Sequence, residues 1–135
     1  MARKIIALSR WPAFALLVCS ATATHSQAIG GAPAAHAVRG DTGVYSLRVI
    51  DESRYRALRN YAEPGATRSL HRHDDAEFHI FIALTGAFRF TTAGDEPRVV
   101  GAGDIIEIPP GAEHTFTNIG NDTATFVEVF GLKVD

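Results

Sequence analysis

From Val44 onward this chain has no convincing helical period. It reads instead as short β-favouring runs, separated by turn-forming residues at fairly even spacing. Tyr45 to Ile50 and Tyr55 to Ala62 come first, followed by the turn Glu63-Pro64-Gly65. Phe78 to Leu84 is a strongly β-favouring run ending at Thr85-Gly86, a tight-turn signal. Phe88 to Thr92, Arg98 to Val100, Asp104 to Ile108, His114 to Ile119 and Thr125 to Phe130 continue the series, broken by Gly/Pro/Asp-rich turns and the rigid Pro109-Pro110-Gly111. Many short strands at such spacing predict an all-β domain: an antiparallel β-barrel or paired-sheet structure.

That domain spans residues 44–135. About 90 residues bury a modest core, so pairing with a second copy as a homodimer would help to stabilise it. Phe81, Phe88, Phe90, Phe116 and Phe126 are the expected core aromatics.

The N-terminus has a different composition. Arg3 and Lys4 precede an apolar stretch from Trp11 to Cys19, with an earlier patch at Ile5 to Leu8, and then small residues at Ala21-Thr22-Ala23 and Ser26-Gln27-Ala28. This is the layout of a secretory signal peptide over residues 1–28. The apolar run is too short and too interrupted to be a good membrane span. A periplasmic or secreted location is expected, with no membrane association beyond the signal. Residues 29–43, rich in Gly, Ala and Pro, read as a flexible lead-in. Cleavage after Ala28 would remove Cys19, so no disulfide is expected. It would also remove Arg3, Lys4 and Arg10, leaving 10 basic against 15 acidic residues and a net charge near −5. With no basic cluster left, nucleic acid and anionic membrane surfaces are poor partners.

The chemistry concentrates in two histidine-bearing segments. The first holds His71, Arg72, His73, Glu77 and His79. The second holds His114, 41 residues after His73. Residues i and i+2 of a strand point to one face, so His71 and His73 can aim two imidazoles at one point, with His114 and Glu77 or His79 completing the ligands. That is the donor set of a divalent transition-metal site: Fe, Mn, Ni, Zn or Cu. Glu77 and His79 share strand parity, about 6.6 Å apart, and both are expected to reach the interior.

Gly103, Pro109, Gly111, His114 and Asn118 resemble the second motif of the cupin superfamily, and Gly65, His71, His73 and Gly86 resemble the first. The resemblance covers roughly residues 44 to 134 and is to small single-domain cupins. It implies a jelly-roll barrel, the double-stranded β-helix, with a metal held by three His and one Glu. The first motif departs from the family pattern. Glu77 fits the usual count from the second His and fails the count to Gly86, whereas His79 does the reverse. The hairpin register favours His79 as fourth ligand. Glu77 then becomes an acceptor for an imidazole N–H or a catalytic base beside the metal.

The expected function is that of a small metal-binding cupin acting on a small oxygen-rich molecule, as a dioxygenase or a metal-assisted isomerase or lyase. The alternative is a non-catalytic module that binds a small ligand; fold alone does not decide between them.

Overall fold

The structure, a computed structural model, describes residues 35–134. The expected signal peptide and the first part of the lead-in lie outside the described residues.

Among the described residues ten strands follow one another: β1 (His36–Ala37), β2 (Val44–Asp51), β3 (Tyr55–Ala62), β4 (Thr67–His71), β5 (Ala76–Ala83), β6 (Ala87–Thr92), β7 (Arg98–Gly101), β8 (Ile105–Ile108), β9 (His114–Asn118) and β10 (Ala124–Leu132). They form two antiparallel sheets. One has six strands in the order β1-β2-β3-β10-β5-β8, and the other four in the order β4-β9-β6-β7. This is the all-β jelly-roll the sequence predicts. Among the described residues, no helix is long and apolar enough to cross a membrane.

The inward faces follow the period-2 alternation of the sequence. In β10 the residues Ala124, Phe126, Glu128 and Phe130 are buried while Thr125, Val127 and Val129 are only half-buried. Phe81 lies between the sheets, stacked on Phe126 at 4.7 Å and edge-on to Phe88 and Phe90. All five expected core aromatics are buried, each contributing about 1.5–3 kcal/mol of burial energy.

Two parts of the chain differ from expectation. Thr67–His71 forms a strand that its mixed polar composition did not signal. In the lead-in, His36 and Ala37 pair with Ser46 and Tyr45, Val38 packs against the core, and Asp41 is buried. Its residues 36–43 thus run as a strap along the edge of the larger sheet. Asp41 anchors it by accepting hydrogen bonds from the Arg68 guanidinium, the Ser69 hydroxyl and the Ser69 N–H.

Candidate metal centre

Three strands and the segment just past β4 converge on the site. His71 ends β4 and sits opposite His114, the first residue of β9. Their rings lie 4.3 Å apart. His73 lies just past β4, outside any strand, yet its ring reaches within 5.0 Å of His71 and 5.5 Å of His114. The fourth member is Glu128 of β10. One donor atom from each of His71, His73, His114 and Glu128 lies within 4.8 Å of the others. With metal–ligand bonds of about 2.1 Å, these four side chains are close enough together that they would be able to share one ion.

Backbone carbonyls fix the tautomers of two of the histidines. His71 Nδ1 donates to the Ser69 carbonyl at 2.8 Å, and His114 Nδ1 donates to the Ala112 carbonyl at 3.0 Å. Each ring therefore carries its free lone pair on Nε2. Nε2 of His114 and Nε2 of His73 are buried with no hydrogen-bond partner, a costly state that coordination would relieve. Burial also pushes both imidazoles down to about 4, against the smaller opposing pull of the Glu128 charge. His71 is lowered for the same main reason. The rings are therefore neutral near pH 7, as ligands must be.

His79 is buried on β5, but its place differs from the one expected. Its Nε2 donates to Glu128 Oε1 at 3.0 Å; a carboxylate can only accept. Asn60 Nδ2 donates to Glu128 Oε2 at 2.7 Å. Burial opposes the Glu128 charge, but the His79 hydrogen bond and the neighbouring imidazoles outweigh it and hold the carboxyl below its usual range. His79 stacks on Phe130 at 4.2 Å, and the Arg56 guanidinium covers Phe130 at 4.7 Å. His79 thus holds one oxygen of the carboxylate, and although its ring lies 5.0 Å from those of both His73 and His114, it is not among the four residues whose donor atoms converge.

Glu77, expected as a ligand or catalytic base, is exposed on the outside of the sheet. The β5–β10 register steps from Phe78↔Gly131 to Ala76↔Leu132, so Glu77 is the extra residue of a β-bulge. The bulge breaks the parity that placed Glu77 beside His79. Glu128 was missed because it lies in neither motif. Its signal is a lone carboxylate at the inward register of Thr125-Phe126-Val127-Glu128-Val129-Phe130, between two core phenylalanines.

The flanking motif residues serve the scaffold. Asn118 Nδ2 donates to the carbonyls of Ala62 and Asp122, and its Oδ1 accepts from Gly120 N–H. Arg72 points outward to an ion pair with Asp74. Glu107 and Glu113 face solvent.

The cupin-domain family model matches residues 61–130. Among solved structures the chain is similar to KdgF from Halomonas sp. (TM-score 0.64, 22% identity, covering 75% of this chain and 87% of that one). It is also similar to an RmlC-like cupin from Shewanella frigidimarina (TM-score 0.62, 18% identity, 75% and 85% covered). A third is a protein from Thermotoga maritima described as a predicted oxalate decarboxylase (TM-score 0.63, 28% identity, 71% and 87% covered). No curated protein sequence matches the chain. The family match runs from Tyr61 in β3 to Phe130 in β10, through every residue of the cluster and over just more than half of the sequence; the chain belongs to the cupin family.

Proposed function

We propose that this cupin binds one divalent transition-metal ion through His71, His73, His114 and Glu128 and presents it to a small, oxygen-rich molecule. The observation that carries the reading is the pair of buried Nε2 atoms on His73 and His114, unpartnered and aimed into a cluster that already holds a carboxylate. A metal there would supply Lewis acidity or, for a redox-active ion, electron transfer to a bound oxygen ligand. The chain's own residues hold the donor atoms in place, keep the imidazoles neutral and bury one side of the site. The likeness to the described oxalate decarboxylase supports a small oxygen-rich substrate. The charged-then-apolar pattern of residues 1–28 supports work outside the cytoplasm.

One observation favours the second reading, a binding module without catalysis. Glu77, the group expected to act as a base beside the metal, lies on the outside of the sheet, and the Nε2 of His79 is engaged by Glu128. Elemental analysis of the purified full-length chain tests the reading. About one transition-metal ion per chain is expected in the wild type, with strong loss in His114→Ala and Glu128→Ala. A folded wild type that takes up no metal from an equimolar mixture of the five candidate ions contradicts it.

A further inference from the structure

His73 is the one member of the cluster that no strand carries, because residues 72–75 join β4 to β5. Its ring must be fixed by other means. Asp75, two residues on, accepts two hydrogen bonds from Arg56 of β3, from Nη1 at 2.7 Å and from Nη2 at 3.3 Å. The Asp75 carbonyl accepts from the Lys133 N–H at 3.0 Å, and Lys133 Nζ donates to the Asp74 carbonyl at 2.7 Å. The segment is thus tied to β3 and to the chain just past β10. An ion pair whose carboxylate is 56% exposed stabilises a fold little. What the guanidinium fork supplies here is a fixed direction for Asp75.

Arg56 has a second contact that leads to the same site. Arg56, Phe130 and His79 form one row across β3, β10 and β5, each opposite the next. The guanidinium lies 4.7 Å from the Phe130 ring centre. That ring stacks on His79 at 4.2 Å and meets His73 edge-on at 4.6 Å. His79 in turn donates to Glu128. The Arg56 side chain is only 18% exposed, and a cation over an aromatic face is held more firmly when it is partly desolvated. One guanidinium therefore bears on two of the four donors by separate routes: on His73 through Asp75 and Phe130, and on Glu128 through Phe130 and His79. We infer that Arg56 is a positioning residue of the metal centre, setting where His73 and Glu128 present their donor atoms. The inference rests on the metal-centre reading for what is positioned, and on the Asp75 fork and the Phe130 row for how.

Cobalt(II) titration of the full chain tests it, with affinity read by chelator competition and ligand geometry by the visible absorption of the bound ion. Arg56→Met keeps the stem and loses the charge and the fork. It is expected to weaken cobalt binding about tenfold or more and to shift the absorption bands at full loading. Asp75→Asn cuts one route only and is expected to cost less. The double variant is expected to cost no more than Arg56→Met, because both changes act through the same guanidinium. Arg56→Lys, which keeps the cation without the fork, is expected to recover part of the loss. Arg72→Met removes the exposed Arg72–Asp74 pair of the same segment; it is the control and should bind as the wild type does. Wild-type affinity with an unshifted spectrum in Arg56→Met overturns the inference, and so does an equal loss in Arg72→Met. If Arg56→Met does not fold, Asp75→Asn and Arg56→Lys carry the same comparison: weaker binding than Arg72→Met supports the inference and equal binding overturns it. A folded wild type that binds no cobalt counts against the metal centre alone. Solvent exchange of the His79 Nε2 proton, followed by NMR on the metal-free chain, then decides: faster exchange in Arg56→Met supports the positioning and unchanged exchange overturns it.

Discussion

His79 and Glu128 sit diagonally across the β5–β10 pairing, His79 opposite Phe130 and Glu128 opposite Phe81. Their hydrogen bond decides which of them reaches the cluster. His79 holds one carboxylate oxygen, Asn60 holds the other, and the oriented carboxylate joins His71, His73 and His114. Residues that orient a ligand typically cost about 10–100-fold in metal affinity when removed. His79→Gln is expected to weaken metal binding by that factor in a competition titration with a chromogenic chelator, whereas Glu77→Ala should leave it unchanged. The imidazoles also set a pH dependence. His73 and His114 titrate near 4 in the fold, below their ordinary 6.5, because burial disfavours the cation. Between those values the unfolded chain binds more protons than the folded one. The metal-free chain should therefore lose thermal stability as pH falls from about 6.5 to about 4, with little change from pH 7 to 8. Asp41 adds to the loss at lower pH: its carboxyl is held below the ordinary 3.8, where burial is outweighed by the hydrogen bonds from Ser69 and Arg68. A melting temperature that is flat across pH 4 to 7 would contradict this.

At the scale of strands and turns, the apolar runs were legible because alternation is local information. The Phe78–Leu84 run became β5, and Thr125–Phe130 became most of β10. The turn at Gly86 was legible for the same reason. It adopts φ +77°, and a Cβ there would come within 2.6 Å of the Ala124 Cβ. Gly86→Ala combines backbone strain with this clash and should cost about 1–3 kcal/mol in urea unfolding. Gly94→Ala, whose added Cβ meets nothing within 4 Å, should cost less. Three features were not legible, each for a physical reason. The bulge at Glu77 depends on how β5 meets β10 across the sheet, which a single strand's pattern does not encode. β4 reads Thr-Arg-Ser-Leu-His and is held by its pairing with β9. The strap at residues 36–43 is fastened by Asp41 to Arg68 and Ser69, more than 25 residues away along the chain. In the site, the three motif histidines were legible from spacing. Glu128 was not, because its role comes from the register that sets it across from the histidine strands.

For the whole molecule, the outer face of the six-stranded sheet matters most. Ile82 pairs with both Ile105 and Val127, and Ile80 with Val129, on the half-buried to exposed side. Ile105 is 66% exposed. A face of this kind suits a second copy of the chain, and light scattering is expected to give twice the monomer mass. The double substitution Ile82→Asp with Ile105→Asp should return the mass to one copy while leaving metal stoichiometry intact, since neither residue is in the cluster. A wild type that stays monomeric at high micromolar concentration would contradict the pairing. The central claim is the metal centre, and anomalous diffraction from crystals of the metal-loaded protein tests it most directly. One strong peak is expected within about 2.0–2.3 Å of the Nε2 atoms of His71, His73 and His114 and of a Glu128 carboxylate oxygen, with His79 hydrogen-bonded to that carboxylate. An empty cluster in metal-soaked crystals, or a peak centred on Glu77, would contradict it.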